Sequence, residues 1–556
     1  MRRSIFNARI KKDWWKKEVI YQIYPKSFND SNEDGIGDLE GIRQKLPYLK
    51  DLGVTMIWIC PIFKSPMHDN GYDIADYEDI DPQFGTMDDF DLLLNDANKI
   101  DIKIMLDLVV NHTSDEYEWF QKALADKNSK YRAYYIFKEG KERPNNWRSQ
   151  FGGSAWEKVP GEDAYYLHLF GKEQPDLNWE NPELRQEIYD MINRWLEKGI
   201  AGFRIDSITF IKKDQDFASL PADGVDGLVS CKSKTRNRPG IGEFLNELKR
   251  ETFEKYNCVT VGEASGVDYK DYEEFISKDG YFSMIFDFHY ADIDVESGTD
   301  WFKRSHWQVR DFKELLAQSQ ETIQQAGWAA NFIENHDQPR ALSKLVHPDF
   351  QNARSACGIG ALYFFLRGTP FVYQGQELGM INAERRNIEE FDDISSIDNY
   401  YRGMEEGYSK EEALHFVNLR SRDNTRSPMP WNNEKYGGFS QVQPWLEMTE
   451  EYPTTNTQGS EVIAFYQKMI ALRQTSEISQ ILIHGTIEFL SNVAENVIAY
   501  VREYNGERVY SFTNLGTDEE EVILVKDIEQ IFVNTHNNKN QDIGNILSPY
   551  QSILFK

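Results

Sequence analysis

The chain has 556 residues, several times the usual size of one domain, so it can form a large core with smaller domains beside it. Its 62 basic and 91 acidic side chains give a formal net charge of −29. This charge repels phosphate backbones and anionic lipids, so neither nucleic acid nor a membrane surface is an expected partner. Aromatic residues make up 13% of the chain, enough to allow stacking against a flat ligand such as a sugar.

The cysteines and the first residues indicate a cytoplasmic protein. Cys60, Cys231, Cys258 and Cys357 are widely spaced and form no CxxC pair. This favours buried thiols in a reducing compartment over a disulfide framework or a zinc site. Residues 1–24 contain no apolar signal region, and no apolar stretch elsewhere is long enough to span a bilayer.

Short β-rich runs alternate with amphipathic helical patterns over most of the chain, which is typical of βα units around a parallel sheet. Apolar residues recur at helical spacing in Leu184–Glu197, for example. Eight strands are predicted: Val19–Tyr24, Met56–Pro61, Ile102–Val110, Gly202–Asp206, Val259–Glu263, Phe282–Phe288, Ala329–Glu334 and Pro370–Tyr373. The predicted fold is an α/β (β/α)8 TIM barrel, whose chemistry lies at the C-terminal ends of the strands.

Two regions depart from this alternation. A Tyr-, Trp- and Gly-rich segment from Thr113 to about Asn181 follows the third strand and is too long for a plain connection, so we expect an inserted subdomain over the barrel mouth. After the helical pattern Val462–Arg473, alternating strands predict an antiparallel β domain. Its predicted strands are Ile483–Leu490, Val497–Tyr504, Glu507–Asn514, Glu521–Val525 and Ser548–Leu554. The expected domains are the barrel (1–112 and 182–478), the insert (113–181) and the C-terminal β domain (479–556).

Three acidic residues lie at or just after predicted strand ends. Asp206 ends the fourth strand, Glu263 ends the fifth, and Asp337 follows the seventh. Strand ends of a barrel converge, so these carboxylates should lie together. Glycosidic cleavage with retention needs a carboxylate nucleophile and a protonated carboxyl, about 5 Å apart. A single acid at a strand end more often caps the next helix, but three in this arrangement favour a glycoside-cleaving site.

Neighbouring residues predict separate roles for the acids. Arg204 lies two residues before Asp206, on the same strand face, and is expected to keep that carboxylate ionised by lowering its pKa. Glu263 is expected to have other carboxylates around it, to remain protonated near neutral pH and to act as a general acid. His112 and His336, each an ordinary core or surface histidine when taken alone, become candidate donors to sugar hydroxyls at these strand ends.

Four ordered motifs carry a resemblance to a known family. They are Asp107-Leu-Val-Val-Asn-His112, Gly202-Phe-Arg-Ile-Asp206, Val261-Gly-Glu263 and Glu334-Asn-His-Asp337. Each is weak alone, but together they are highly specific. From Trp14 to the C terminus the chain resembles the oligo-1,6-glucosidase and α-glucosidase branch of the α-amylase family, glycoside hydrolase family 13.

The resemblance implies a role for each acid. Asp206 would be the nucleophile, Glu263 the acid/base and Asp337 the transition-state stabiliser. It also implies a domain B after the third strand and a C-terminal β domain. Three further residues would surround the released glucose: His112, Arg204 and His336.

The family pattern also implies a pocket closed at one end. An Asp–Arg pair, Asp69 with Arg422, would bind the terminal hydroxyls of the non-reducing-end glucose and block any further sugar, which implies exo-action. Without the resemblance, this pair would be interpreted as an ordinary surface salt bridge. The segment Gln174-Pro-Asp-Leu-Asn178 resembles this branch rather than endo-acting amylases. The other implied substrate-binding residues are Tyr72, Phe170, Gln174 and Arg426.

A cation-binding loop is indicated near the N terminus, where oxygen-bearing side chains occupy alternate positions of Asp30-Ser-Asn32-Glu-Asp34-Gly-Ile36-Gly-Asp38. It is not an EF-hand, because Gly41 stands where that motif has a bidentate Glu. The resemblance implies a structural calcium or magnesium ion, and no organic cofactor. The alternative is an Asx-rich turn without a metal. The implied ligands are Asp30, Asn32, Asp34, the Ile36 carbonyl and Asp38.

The choice of bond depends on the position after the nucleophile, which faces the leaving sugar. It is Ser207 here, whereas relatives that act on α-1,6 bonds usually have Val. Ser207 therefore favours α-1,4 substrates such as maltose. The segment Arg236-Asn-Arg-Pro-Gly-Ile-Gly-Glu243 resembles maltase-like members. Phe286-Asp-Phe-His-Tyr290 and Glu334 depart from the runs common in the branch.

We thus expect a cytoplasmic, monomeric, retaining exo-α-glucosidase that acts on short malto-oligosaccharides. The same scaffold could instead serve an oligo-1,6-glucosidase, a trehalose-6-phosphate hydrolase or a sucrose isomerase. Some relatives are inactive partners of membrane transporters, but those lose the carboxylates and carry an anchor.

Overall fold

A computed structural model describes residues 13–296, 302–522, 528–536 and 545–556. The predicted barrel is confirmed by an eight-stranded parallel sheet. The strands are β1 Ile20–Ile23, β2 Met56–Ile59, β3 Lys103–Val109, β4 Gly202–Asp206, β5 Val259–Glu263, β6 Met284–Phe286, β7 Ala330–Asn331 and β8 Thr369–Tyr373. Their order in the sheet is β6-β5-β4-β3-β2-β1-β8-β7. A parallel bridge between Ile285 and Ala329 brings the two edge strands together.

Some strands are shorter than predicted because the chain leaves the sheet at the barrel mouth. After β1, the Tyr24 amide donates to the Gln374 side chain. After β7, the Phe332 carbonyl accepts from the Tyr290 hydroxyl. The last residues of two predicted strands are therefore loop residues that side chains hold in place.

Helices surround the barrel and their ends carry ordinary signals. The helix Pro182–Lys198 starts at an Asn181 cap and ends at Gly199, whose φ of 103° suits glycine. The helices are Leu39–Gln44, Leu46–Leu52, Met87–Lys99, Glu118–Ala125, Pro182–Lys198, Lys232–Thr235, Ile241–Glu251, Tyr272–Ile276, Val309–Ala326, Ala341–Leu345, Ala353–Phe364, Ile394–Glu405, Lys410–Arg420, Asp423–Arg426, Glu461–Thr475 and Ser479–His484. None of the helices in the described ranges is long and apolar enough to cross a membrane.

The segment after β3 forms a small antiparallel sheet of Phe137–Glu139, Ala164–Leu167 and Trp156–Lys158. A second ladder joins Trp147–Arg148 of this segment to Val229–Ser230, which follows β4. The two segments share a core separate from that of the barrel. The insert is therefore supported by residues beyond its predicted boundary.

The C-terminal part is a five-stranded antiparallel sheet. Its strands are β9 Thr486–Phe489, β10 Val497–Tyr504, β11 Glu507–Asn514, β12 Ile531–Asn534 and β13 Ser552–Phe555. Their order in the sheet is β9-β10-β11-β13-β12.

Three strand predictions in this part need correction. The strand predicted to start at Ile483 starts at Thr486, because Ile483 and His484 end a helix and Gly485 separates the two elements. The last strand starts at Ser552 rather than Ser548, and β12 was not predicted. Positions 523–525 of the predicted strand Glu521–Val525 lie outside the described residues. At its start the structure has the short strand Glu520–Glu521.

Two helices near the barrel mouth, Ile394–Glu405 and Lys410–Arg420, pack against each other around a small core of their own. We call this unit hairpin 394–420. It was not predicted as a unit, and it brings Asp393 and Ser395 to the mouth.

Candidate active site

The three predicted carboxylates meet at one cavity. Asp206 lies at the end of β4, Glu263 at the end of β5, and Asp337 in the turn after β7. The cavity has a volume of about 190 Å³. Since ~10–15 Å³ of this kind of volume already holds one water, the cavity has room for a much larger molecule, such as one sugar ring. The lining residues are Asp69, Tyr72, His112, Phe151, Phe170, Asp206, Ser207, Glu263, Asp337, Ser395 and Arg422.

Arg204 contacts two of the three carboxylates, those of Asp206 and Glu263. Its Nη1 lies 2.8 Å from Asp206 Oδ1 and 2.9 Å from Asp107 Oδ1, and its Nη2 lies 3.0 Å from Glu263 Oε2. Arg204 and Asp107 are direct neighbours across β4 and β3. One guanidinium therefore holds the carboxyl groups of Asp206 and Glu263 toward the same side of the cavity.

Glu263 has the character expected of a general acid. Burial raises its pKa to about 8, while Arg204 opposes this and the charges of Asp206 and Asp337 add to it. The Ser207 amide donates to Glu263 Oε2 at 2.8 Å and fixes the carboxyl group. Glu263 is thus protonated at neutral pH.

The pKa of Asp206 differs from the sequence-based expectation. Arg204 lowers it, as expected, but burial raises it more strongly, and the nearby Asp107 and Asp337 also raise it. The net shift in the pKa of Asp206 is upward because burial and the charges of Asp107 and Asp337 together outweigh the effect of Arg204.

Asp337 is held ionised. Its Oδ2 lies 3.2 Å from His336 Nε2 and its Oδ1 lies 3.0 Å from Arg426 Nη2. Burial opposes ionisation, yet His336, Arg422 and Arg426 hold the pKa of Asp337 well below its usual range. His336 is itself neutral, because burial lowers its pKa to about 3. The two arginines therefore supply the positive charge beside Asp337.

The orientation of the neutral His336 ring follows from its contacts. The Gln22 amide lies 2.8 Å from Nδ1, so that nitrogen is the acceptor and Nε2 carries the proton. Nε2 lies 2.5 Å from the Tyr72 hydroxyl, which in turn donates to Asp107. The cavity-lining residue Tyr72 is thus held from behind by hydrogen bonds to the buried His336 and Asp107.

A second polar cluster includes two residues of the cavity lining, Asp69 and Arg422. Arg422 Nη2 lies 2.9 Å from Asp69 Oδ1 and 2.7 Å from Asp393 Oδ1. The Gln174 amide donates to Asp69 Oδ2 at 3.1 Å and lies 3.1 Å from His112 Nε2. The Asp69–Arg422 pair is therefore a buried part of the cavity wall rather than a surface salt bridge.

Aromatic rings line the cavity between these polar groups. Phe170 packs against His112 with 5.1 Å between ring centroids and against Phe151 with 5.6 Å. The Arg422 guanidinium lies 5.0 Å from the Phe151 ring centroid. A flat sugar ring would find both stacking surfaces and charged hydrogen-bond partners here.

Sequence reasoning missed several contributors to the site. Asp107 was part of a quoted motif, and its register opposite Arg204 was the available signal. The other missed residues are far from the motifs in sequence: Phe151 lies in the insert, Ser395 in hairpin 394–420 and Asp393 directly before it.

The predicted cation loop lies apart from this cavity. Asp30 Oδ1 accepts the amides of Asn32 and Glu33, and the Asp38 carboxylate caps the helix Leu39–Gln44 through the Gly41 amide. Within the described ranges, no three His, Cys, Asp or Glu side chains form a cluster that could hold a metal. The loop oxygens engage the loop's own amides, as in an Asx-rich turn, and the cation remains a prediction.

A barrel with three carboxylates and a sugar-sized cavity at its mouth is the architecture of glycoside-cleaving enzymes. The sequence model of the α-amylase catalytic domain matches residues 22–485, and the chain belongs to this family. It is an enzyme that acts on glycosides, as predicted.

The proteins that this chain is similar to are named for different activities. The probable oligo-1,6-glucosidase 3 of Bacillus subtilis (strain 168) is 45% identical over 518 residues, which cover 91% of each chain. The trehalose-6-phosphate hydrolase of the same organism is 38% identical over 559 residues, 98% of each chain. The crystal structure of isomaltulose synthase from Klebsiella sp. LX3 matches with a TM-score of 0.92 and 36% identity, covering 98% of this chain and 99% of that one.

Proposed function

We propose that this enzyme is a retaining exo-α-glucosidase that releases glucose from the non-reducing end of short α-glucosides. The observation that carries the proposal is that the Arg204 guanidinium contacts both Asp206 and Glu263, whose side chains line one sugar-sized cavity. Paired carboxyl groups of opposite protonation state are the requirement of the retaining reaction.

In the first step, a carboxylate oxygen of Asp206 attacks the anomeric carbon while Glu263 gives its proton to the glycosidic oxygen. The bond to the leaving sugar breaks as a glucosyl ester forms on Asp206. Asp337, held ionised by two arginines, stabilises the positive charge that develops on the sugar ring.

In the second step, the Glu263 carboxylate takes a proton from water, and the water oxygen attacks the anomeric carbon. The ester on Asp206 breaks, and α-glucose leaves with its original configuration. Glu263 is then protonated again for the next cycle.

Exo-action is supported by the Asp69–Arg422 pair in the cavity lining. Arg422 and Asp69 contact each other, and Arg422 also contacts Asp393. These groups can bind the hydroxyls of a terminal glucose through charge-assisted hydrogen bonds. A glucose bound in this way would have no further sugar beyond it.

For the bond itself we propose α-1,4. Ser207 lines the cavity next to Asp206, and its hydroxyl can hydrogen-bond to the leaving sugar. A second candidate is cleavage of α-1,6 bonds, which the 45% identity to a probable oligo-1,6-glucosidase favours. Likeness to a trehalose-6-phosphate hydrolase and an isomaltulose synthase makes those activities further alternatives.

One substrate panel tests the proposal. Purified enzyme is assayed on maltose, isomaltose, sucrose and trehalose 6-phosphate, with nuclear magnetic resonance reading the anomer first released. We expect α-glucose, with kcat/KM highest for maltose. A higher kcat/KM for isomaltose would overturn the α-1,4 choice alone, whereas β-glucose would overturn the retaining mechanism.

We also propose a structural calcium or magnesium ion at Asp30, Asn32, Asp34, Ile36 and Asp38. The alternation of oxygen ligands supports it. The reaction steps above do not depend on this ion.

A further inference from the structure

Arg340 is a fully buried arginine outside the cavity lining. Its Nη1 lies 3.0 Å from Glu334 Oε1 and donates to the Gln374 carbonyl at 2.8 Å. Its Nη2 donates to the Thr425 carbonyl at 3.2 Å. A buried charge is tolerated when it is paired and hydrogen-bonded, and here three separate segments provide the partners.

The Thr425 carbonyl accepts a second hydrogen bond. The Tyr373 hydroxyl, at the end of β8, donates to it at 2.8 Å. A carbonyl oxygen has two lone pairs, so both donors can be satisfied at once. We call Arg340 and Tyr373 the Thr425 clamp.

The clamped residue lies between two arginines of the active site. The short helix Asp423–Arg426 follows Arg422, and the Thr425 hydroxyl donates to the Arg422 carbonyl at 3.1 Å. Arg426 donates through Nε to the His336 carbonyl at 3.1 Å and through Nη2 to Asp337 at 3.0 Å. A shift of Thr425 would therefore move both cations that keep Asp337 ionised.

Glu334 ties the clamp to the loop that carries Asp337. While Oε1 pairs with Arg340, Oε2 accepts the Ala341 amide at 2.6 Å. This joins the two ends of the loop 334–341, within which Asp337 lies. The same ion pair thus holds the carboxylate loop and, through Arg340, the arginine turn.

We infer that Arg340 and Tyr373 are positioning residues, which set the distance between Asp337 and the arginines of the 422–426 turn. The inference rests on the proposed function, because it assigns Asp337 a role in the transition state. Neither residue touches the sugar; both act through the Thr425 carbonyl.

The test uses Tyr373→Phe and Arg340→Lys in the full chain. Each removes or weakens one donor to Thr425 while leaving most of the side-chain volume. Misplacement of a catalytic group costs up to about 100-fold in rate, and we expect kcat to fall by about 10-fold or more in each variant. KM should rise by a smaller factor, because the lost interaction acts mainly in the transition state.

The matched control is Tyr500→Phe. The Tyr500 hydroxyl is also buried and donates to a backbone carbonyl, that of Leu362, at 3.0 Å, but it lies in the C-terminal sheet. We expect Tyr500→Phe to lower Tm about as much as Tyr373→Phe, since both variants delete one buried hydrogen bond. Tyr500→Phe should leave kcat unchanged, because its hydrogen bond lies in the C-terminal sheet.

Each outcome is decisive. Wild-type kcat in Tyr373→Phe would overturn the inference, even if Arg340→Lys failed to fold. An equal loss of kcat in Tyr500→Phe would also overturn it, because the effect would then be one of global stability. A wild-type enzyme inactive on the whole substrate panel would instead overturn the proposed function.

Discussion

At the scale of single residues, the site depends on how one buried arginine is shared. Arg204 contacts Asp107, Asp206 and Glu263, so these three carboxyl groups share one guanidinium. Burial raises the pKa of Glu263 to about 8 and also raises that of Asp206. The protonation states that the proposed reaction needs in Asp206 and Glu263 thus come from the balance of burial and neighbouring carboxylates against the charge of Arg204.

This balance predicts the pH dependence of kcat/KM. Glu263 must carry its proton, so activity should fall as pH rises through about 8. Asp206 must be ionised, so activity should also fall on the acid side. The profile should therefore be bell-shaped.

The alkaline side can be assigned with Glu263→Gln and α-glucosyl fluoride, whose leaving group needs no proton. We expect the decline near pH 8 to disappear from the first step in this variant. An unchanged alkaline decline would show that another group causes it.

Ser207 provides a second prediction at this scale. Ser207→Ala removes a hydroxyl proposed to bind the leaving sugar, and kcat/KM for maltose should fall by about 2- to 12-fold, the worth of one neutral hydrogen bond. Ser207→Val should also raise the ratio of isomaltose to maltose cleavage. Equal ratios in wild type and both variants would contradict this role for Ser207. Ser207 has a φ of 43°, so the Val variant should also have a lower Tm.

The sequence allowed the three acids to be placed, because motifs at strand ends show which residues reach the mouth. It did not allow Asp393 or Phe151 to be placed. Their roles depend on long-range contacts with Arg422, which no local pattern encodes.

At the scale of elements, most strand predictions overlap the observed strands, and the differences lie at the ends. Side chains that are distant in sequence bind the backbone at those ends. The Gln374 side chain accepts a hydrogen bond from the Tyr24 amide, and the Tyr290 hydroxyl donates one to the Phe332 carbonyl. Hairpin 394–420 packs several apolar residues, among them Tyr400, Ala413 and Val417, into a core of its own, so it adds an element without changing the barrel pattern.

The loop Asp30–Asp38 gives a prediction for this scale. If it binds a cation, Tm should rise with added calcium or magnesium and fall with a chelator, because a ligand that binds only the folded state stabilises it. Asp34→Ala should reduce that response. Asp126→Ala, at another exposed turn, serves as the control. A Tm that does not respond to either ion would support the metal-free Asx turn.

At the scale of the whole molecule, the barrel brings distant segments to one cavity. Asp69 follows β2, Gln174 lies in the insert and Arg422 follows hairpin 394–420, yet all three lie in one hydrogen-bonded cluster beside it. Family and fold could be predicted from the sequence because ordered motifs on successive strands define them. The bond that is cut could not be predicted in the same way, because relatives named for several activities match this chain over 91% or 98% of its length. A cytoplasmic location and a monomeric state remain predictions.

The most direct measurement is to trap the covalent intermediate. Glu263→Gln is incubated with α-glucosyl fluoride and digested, and the peptides are examined by mass spectrometry. The fluoride leaves without an acid, but the variant lacks the base that activates water, so the ester should accumulate. The account predicts glucose attached to the Asp206 carboxylate, and none in a variant that also carries Asp206→Asn. Fluoride release without an adduct on Asp206, or an adduct on another residue, would contradict it.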